Sequence, residues 1–239
     1  MDNTLDKTKR TYLTIWDVLI VAVILFGFAF YQSTKAYIDV INNVKTINDN
    51  LLFTNNDDYI AFIKQFGLLL LAFGYLYIRK FDFRVWAIKF NIKAILKGLL
   101  YFIIAALAID AYDAIVSLAI NFIPKPSPLT DFLGNFEFSK ILYAILNGFY
   151  EEIFFLGVCL SVKPKNIKWI IPISLIIRFS FHTYQGLLVA LGIGFITGAV
   201  FYVIYFLQKK KNLVPFFIAH SIADVIGLSI FAYISTFFA

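Results

Sequence analysis

Long apolar runs, separated by shorter polar segments, dominate the hydrophobic pattern of this chain. A run of about 20 apolar residues is long enough to cross a bilayer as a helix. The pattern therefore predicts an all-α, polytopic transmembrane helical bundle of about seven spans, and an eighth span remains open if one run is split. The predicted spans are residues 15–31, 59–78, 98–122, 140–162, 167–183, 186–207 and 213–238.

The polar segments between these runs indicate a topology. Residues 32–58 form a predicted external loop, whereas residues 79–97 mix six basic residues with Phe and Trp, which suits an amphipathic stretch on the membrane surface. Fifteen of the 21 Lys and Arg lie in alternate polar segments, so the positive-inside rule makes the N-terminus cytoplasmic. The first apolar run lacks a small-residue cleavage site and predicts an uncleaved helix.

The composition fits a membrane protein rather than a soluble domain. Apolar residues make up 61% of the chain and charged residues 15%, against about 25% charged in ordinary soluble domains. No internal repeat is visible, so residues 1–239 are predicted to form one membrane domain. The net charge of +6 comes from the basic segments beside the bilayer and predicts no nucleic-acid partner. Richness in Phe, Ile, Lys and Asn suggests a bacterial source and hence the bacterial plasma membrane.

Two adjacent acids lie in the middle of the fourth predicted span. Glu151 and Glu152 are two of only three Glu in the chain, and ionisable side chains at this depth are costly enough to mark a functional site by default. Neighbouring residues on a helix point about 100° apart, so at most one of the two acids faces a given spot. Asn147, one turn earlier, shares the face of Glu151. The alternative is a structural pair of acids satisfied by hydrogen bonds between helices.

The two His of the chain also lie in apolar runs. His220 and Asp224 are four residues apart and share one face of the seventh span, where Asp224 can orient the imidazole. Arg178 and His182 have the same spacing on the fifth span. A buried Arg needs a carboxylate, and a Glu of the fourth span is the obvious candidate. Local structural hydrogen bonds are the alternative for each pair, but acids and His on three spans together favour the activation of a water molecule.

The depth of His182 depends on where the fifth helix begins. If Pro172 opens that helix, where its missing N–H costs nothing, His182 lies about 15 Å into the span. His220 and Asp224 lie about 10 and 16 Å into theirs, so the three groups would share one depth. If the helix begins at Lys165 instead, His182 lies nearer the outer face and the groups converge less well.

Other polar residues in the apolar runs receive weaker roles. Asp110 and Asp113 share a face of the third span, and they either support the site, line a polar cavity or lie towards the outer end. Lys64 is expected to extend to the outer membrane interface. The single cysteine, Cys159, excludes an internal disulfide and is expected to be a buried structural residue.

Three motifs make the C-terminal half of the chain resemble the CPBP intramembrane proteases. This family includes the CAAX prenyl endopeptidases and the bacteriocin-processing and immunity proteins called Abi. The family pattern is Glu-Glu-x-x-x-Arg, then Phe-x-x-x-His, then His-x-x-x-Asn/Asp. The corresponding stretches here are residues 151–156, 178–182 and 220–224, within a core of residues 140–225. Each motif is weak alone, but their order, spacing and membrane setting are specific together.

Two positions depart from the family pattern. Leu156 stands where the family usually has Arg, and Arg178 stands where it usually has Phe. The chain therefore looks like a subgroup with an Arg-x-x-x-His-x-Tyr-Gln-Gly second motif. We expect Arg178 to supply from the fifth helix the charge that Leu156 does not supply from the fourth.

The resemblance implies an intramembrane endopeptidase. Its substrate would be a membrane-associated peptide or protein, such as a bacteriocin leader, a pheromone precursor or a self-immunity target. The resemblance implies that Glu151 is the general base together with His182, and that His220 and Asp224 polarise the scissile carbonyl. The supporting residues would be Glu152, Arg178 and Asn147.

No metal is favoured, because the chain has no His-Glu-x-x-His signature. Zinc is the alternative, because His and carboxylate side chains suit it. Its ligands would then be Glu151, His182, His220 and Asp224.

Two functions without proteolysis remain as alternatives. A membrane scaffold or immunity partner with a relic site is favoured by Leu156. A small proton-coupled carrier would also use buried acids and His, but no inverted repeat and no paired broken helices are visible. The sequence specifies neither the oligomeric state nor the cleavage site.

Overall fold

The computed structural model describes residues 9–51, 54–120, 137–231 and 234, and throughout these residues the regular secondary structure is helical. Isolated bridge contacts join Arg10 to Phe81 and Leu13 to Val162 without forming strands. The bundle is carried by helices that we number α1 to α7. They are α1 (Ile15–Ile41), α2 (Asn55–Ile78), α3 (Ile92–Ile120), α4 (Phe138–Ser161), α5 (Pro164–His182), α6 (Leu187–Leu207) and α7 (Val214–Ile226).

The predicted polytopic helical bundle is confirmed. Five of the described helices, α1, α2, α3, α4 and α6, are long and apolar enough to cross a membrane. Helix α7 is apolar but shorter, at 13 residues. Helix α5 has 19 residues and carries three basic side chains. Both α4 and α6 contain a π-helical turn, at Ile153–Val158 and Gly192–Thr197 respectively.

The polar segment after the first apolar run is not the loop that hydropathy predicts. Helix α1 continues to Ile41, because its polar residues find partners in the folded chain. Ser33 is buried, shares a 3.0 Å hydrogen bond with the Thr183 hydroxyl and accepts one from the backbone N–H of Tyr184 at 2.9 Å. The external connection is therefore shorter than predicted, and it ends at Thr54, whose side chain caps α2.

The basic segments meet at one end of the bundle, as the alternating topology requires. Backbone hydrogen bonds connect the N-terminal segment to the turns after α2 and α4, and the turn before α7 to the one before α3. These bonds run from Arg10 N to Lys80 O (2.8 Å), from Leu13 N to Ser161 O (2.7 Å) and from Leu213 N to Ala87 O (2.9 Å). The predicted surface stretch 79–97 is shortened, because α3 begins at Ile92.

Two glycines bring α7 close to its neighbours. A Cβ atom on Gly148 of α4 would lie 2.5 Å from Ser221 Oγ and 2.6 Å from the carbonyl oxygen of Phe217, both on α7. A Cβ atom on Gly98 of α3 would lie 2.7 Å from the side chain of Ile218. Contacts this short leave no room for a side chain, so α7 is packed directly against the backbones of α3 and α4.

The prediction that Pro172 opens the fifth helix is wrong. Helix α5 begins at Pro164, which occupies the first turn, and Pro172 lies inside it. An internal Pro removes one backbone hydrogen bond, a loss that packed membrane helices tolerate. His182 is therefore the last residue of α5, about 27 Å from its start, and the shared depth predicted for His182 does not hold.

Candidate active site

A stripe of polar residues runs along one face of α4. Ser139, Tyr143, Asn147 and Glu151 follow one another at intervals of four residues, so they lie above one another on the helix. Glu151 is 4% exposed and Glu152, on the adjoining face, is 0% exposed. The π-helical turn of α4 begins immediately after Glu152, and such turns are frequent at functional sites.

Arg178 of α5 is paired with Glu152, as a buried Arg requires. Its Nη2 donates to Glu152 Oε1 at 2.6 Å, and both side chains are almost completely buried. The guanidinium carbon lies 4.1 Å from the ring centre of Phe155, so the cation also packs on an aromatic face. Leu156, at the position where the family usually has Arg, is buried in the apolar core.

His220 of α7 lies between three carboxylates. Its Nδ1 is 2.7 Å from Glu152 Oε1, while its Nε2 is 3.7 Å from Glu151 Oε2 and 3.5 Å from Asp224 Oδ1. An ionised carboxylate only accepts, so the ring donates Nδ1–H to Glu152. Glu152 thus accepts the short hydrogen bond from the imidazole, whereas the sequence spacing predicted that Asp224 orients the ring.

Asn147 connects the two remaining carboxylates. Its Nδ2 donates to Asp224 Oδ2 at 2.8 Å and to Glu151 Oε1 at 3.3 Å. Its Oδ1 accepts from Nε2 of Gln65, on α2, at 2.7 Å. Gln65 is not among the residues predicted from the sequence, although a polar amide inside an apolar run is a usable signal.

His182 stands apart from this compact group. Its Nδ1 lies 2.8 Å from the carbonyl oxygen of Arg178, one turn earlier on its own helix. A carbonyl oxygen only accepts, so Nδ1 carries the proton and Nε2 carries a lone pair. The structure thus brings Glu151, His220 and Asp224 together, with His182 at the edge of the group.

The remaining candidates lie elsewhere. Asp110 accepts hydrogen bonds from Ser229 Oγ at 2.5 Å and from the backbone N–H of Ile230 at 2.9 Å, so it holds the segment after α7. Asp113 is half-buried nearby on α3. Cys159 is buried in the apolar core, as expected.

A cavity of about 220 Å³ is present at the basic end of the bundle, lined by residues such as Trp86, Ser161 and Lys211. None of its lining residues is an acid or a histidine. It therefore lacks the groups needed for acid–base chemistry. The better candidate site is the cluster of Glu151, Glu152, Asp224 and His220, which we call the carboxylate–histidine group.

The donor atoms in the carboxylate–histidine group also fit a divalent cation. Ligand atoms of Glu151, Glu152 and His220 lie within 4.8 Å of one another. Glu151 Oε2 is buried and has no hydrogen-bond partner among the described residues. His220 Nε2 lies 3.7 Å from this oxygen, and Glu152 is the third member of the group. Asp224, another of the predicted zinc ligands, lies 3.5 Å from His220 Nε2.

The unpartnered oxygen also gives the site a base. A carboxylate oxygen that is buried without a hydrogen-bond donor retains its capacity to accept a proton from a water molecule. His220 Nε2, 3.7 Å away, supplies a hydrogen-bond donor beside it when the ring is doubly protonated. The arrangement can therefore carry out water activation next to a polarising group, which is the chemistry of hydrolysis.

The comparison with protein families found a match in the C-terminal part of the chain. Residues 135–226 match the family described as type II CAAX prenyl endopeptidase, Rce1-like. The matched segment contains α4 to α7 and all the predicted site residues. Comparisons with curated proteins and with solved structures gave no match. Residues 135–226 of this multi-pass membrane protein are therefore similar to the Rce1-like family of CAAX-type proteases, which confirms the resemblance drawn from the three motifs.

Proposed function

We propose that the protein is an intramembrane endopeptidase that hydrolyses peptide bonds in membrane-associated peptides or proteins, with a water molecule activated by Glu151. The observation that carries this proposal is the position of Glu151 Oε2, which is buried, has no hydrogen-bond partner among the described residues and lies 3.7 Å from His220 Nε2. A base of this kind beside a hydrogen-bond donor is the minimum that hydrolysis of an amide requires.

In the proposed reaction, Glu151 takes a proton from water, and the water oxygen attacks the carbonyl carbon of the scissile bond. The carbonyl oxygen becomes an oxyanion, towards which a doubly protonated His220 donates Nε2–H. As the carbon–nitrogen bond breaks, the proton held by Glu151 passes to the leaving amine. The lone pair on Nε2 of His182 supports a second contact to the attacking water.

The supporting residues hold these groups in place. Glu152 accepts from His220 Nδ1 and fixes the plane of the ring. Arg178 neutralises Glu152, so the orienting carboxylate stays ionised inside the bundle. Asp224 faces His220 Nε2 and is itself held by Asn147. In this account Arg178 replaces the charge that Leu156 lacks, which removes the main argument for an inactive scaffold with a relic site.

The substrates we propose are the ends of membrane-associated peptides, including bacteriocin-type leaders and pheromone precursors. The name of the matched family refers to prenyl endopeptidases, so a prenylated C-terminal peptide is the second class to test. Both classes bring an amphipathic peptide to the bilayer, and Glu151 and Glu152 lie on α4, one of the helices that are long and apolar enough to cross a membrane. A free soluble peptide would reach it less readily.

We propose a site that works without a metal. Glu151, Glu152 and His220, whose ligand atoms lie within 4.8 Å of one another, would hold zinc if it binds, and the metal would supply polarisation of the carbonyl and activation of water. The cation Arg178, 2.6 Å from Glu152, already neutralises one of the acids, which favours the metal-free reaction.

The test uses the full chain, purified in detergent, with a library of quenched lipidated and unlipidated peptides. Cleavage that disappears in Glu151→Ala and in His220→Ala but resists a chelator supports the metal-free endopeptidase. Cleavage that a chelator abolishes and zinc restores would make these residues metal ligands. Cleavage that survives in both variants would place the reaction elsewhere and reject the proposal.

A further inference from the structure

We propose that Gln65 of α2 is a positioning residue of the active site, which sets the orientation of Asn147 and, through it, of Glu151 and Asp224. This inference rests on the proposed endopeptidase function. It concerns a residue that lies outside the segment matched to the protease family, residues 135–226. The first half of the chain would then contribute directly to the geometry of the site.

Two carboxylates determine the orientation of the Asn147 amide. Asp224 Oδ2 and Glu151 Oε1 both face the amide of Asn147, at 2.8 and 3.3 Å. Ionised carboxylates only accept hydrogen bonds, so the side of Asn147 that faces them must be its NH₂ group. That group has two N–H bonds, and both are used. The amide oxygen of Asn147 is therefore forced to face the opposite way.

What lies on the opposite side must be a donor. The Asn147 oxygen faces Nε2 of Gln65 at 2.7 Å, a short and well-formed hydrogen bond. If the Gln65 amide were turned over, two oxygens would face each other. If both amides were turned over, Asn147 would present its oxygen to two carboxylates. Only one arrangement gives the Asn147 amide and both carboxylates matching partners, and it requires the donor of Gln65.

The unpaired oxygen of Gln65 indicates that the hydrogen bond to Asn147 is the contact that holds this side chain. Its Oε1 is buried and has no hydrogen-bond partner among the described residues. A buried amide that leaves its oxygen unpaired carries a cost, which its donor contact has to offset. The position of Gln65 is thus determined by the hydrogen bond that its Nε2–H donates to Asn147 Oδ1.

The consequence concerns the general base. With the Gln65 donor present, Asn147 binds Glu151 through Oε1 and leaves Oε2 directed at His220 Nε2. Without it, Asn147 can turn, and Glu151 loses the contact that selects which of its oxygens is free. The expected defect is in turnover rather than in substrate binding, because Gln65 acts through Asn147.

The decisive variant is Gln65→Met, which keeps the length of the side chain and removes the donor. We expect kcat to fall about 10- to 100-fold, the range typical of lost supporting hydrogen bonds, with KM nearly unchanged. Gln208→Met is the matched control, because Gln208 donates to Tyr101 OH and to the Asn212 carbonyl at the basic end of the bundle. Its kcat should equal that of wild type.

Gln65→Glu adds a readout that a space-filling role would not give. An ionised Glu at this position presents two acceptors to the Asn147 oxygen, whereas a protonated one offers a donor. The ratio of its kcat to that of wild type should therefore rise as the pH is lowered, while Gln65→Met shows no such recovery. A ratio that is independent of pH would overturn the inference, as would Gln65→Met with wild-type turnover.

A double-mutant cycle with Asn147→Leu completes the test. If Gln65 acts only through Asn147, then adding Gln65→Met to Asn147→Leu lowers kcat no further. The same cycle measured by thermal unfolding in detergent does not depend on catalysis. If wild type cleaves no peptide but the two substitutions are non-additive in Tm, the endopeptidase proposal fails and the positioning contact stands. Additive effects in both measurements would reject the contact itself.

Discussion

The buried ion pair between Arg178 and Glu152 gives the sharpest expectation about stability. Arg178→Phe places the usual family residue at this position and removes the cation that lies 2.6 Å from Glu152 Oε1. The two side chains are only 3% and 0% exposed, so the remaining carboxylate cannot be solvated by bulk water. Breaking such a pair from one side costs about 3–5 kcal/mol, and Glu152 would keep only its hydrogen bond from His220 Nδ1.

The assay is thermal unfolding of the full chain in detergent, combined with peptide cleavage. A loss of about 3–5 kcal/mol corresponds to a fall in Tm of about 6–20 °C for a chain of this size. Cleavage should fall as well, because the carboxylate that orients His220 Nδ1 is no longer held by Arg178. Arg79→Leu is the control: the Arg79–Asp17 bond has a similar length, 2.7 Å, but the Arg79 side chain is 36% exposed. Asp17 is only 4% exposed, but it keeps its hydrogen bonds from Tyr75 OH and Thr14 Oγ1, so the loss should be smaller than in Arg178→Phe.

A second substitution tests whether Arg178 on α5 supplies the positive charge that the family usually has at position 156 on α4. Leu156 follows Glu152 by one turn on α4, so an Arg at this position has a route to the same carboxylate. Leu156→Arg in the Arg178→Phe background should recover a large part of the lost Tm and activity. Full stability and full cleavage in Arg178→Phe alone, with Glu151→Ala inactive, would refute the reasoning.

Three further expectations concern packing, anchoring and proton position. Gly148→Ala should destabilise the fold by about 1–3 kcal/mol and impair cleavage, because the new Cβ would lie 2.5 Å from Ser221 Oγ. Gly67→Ala is the control: a Cβ there has nothing within 4 Å, so both assays should be unchanged. Asp110→Ala removes the acceptor of the backbone N–H groups of Ile230 and Phe231. The free energy of unfolding should fall by about 0.5–2 kcal/mol, while kcat should not change. A large loss of kcat would place Asp110 in the site. Nitrogen NMR of labelled His182 should show the Nδ1–H tautomer, and an Nε2–H signal would contradict its contact with a carbonyl oxygen.

Hydropathy alone predicted the class of fold and most of the spans, because lipid requires long apolar helices. It failed at the ends of helices. The polar residues after Tyr31 read as a loop, yet Ser33 is buried against Thr183 and the helix continues. Pro172 read as a helix start, yet Pro164 already fills that position. Such boundaries depend on tertiary partners that a local pattern does not contain.

The candidate residues could be predicted from the sequence, because ionisable side chains inside apolar runs are costly to bury. Their partners were less predictable. Spacing paired His220 with Asp224, whereas the short bond is to Glu152, because the close approach of α7 at Gly148 determines which carboxylate the ring meets. Gln65 comes from a helix distant in sequence, and only the folded chain places its amide against α4.

The assignment of Glu151 as the base is tested most directly by Glu151→Gln, which keeps the shape of the side chain and removes its capacity to accept a proton. A positioned general base contributes about 10²- to 10⁴-fold, so kcat on a peptide cleaved by wild type should fall by at least about 100-fold. Glu137→Gln, which changes the one other Glu of the chain, should leave kcat unaltered. A Glu151→Gln variant that retains wild-type turnover, with its fold intact, would contradict the account.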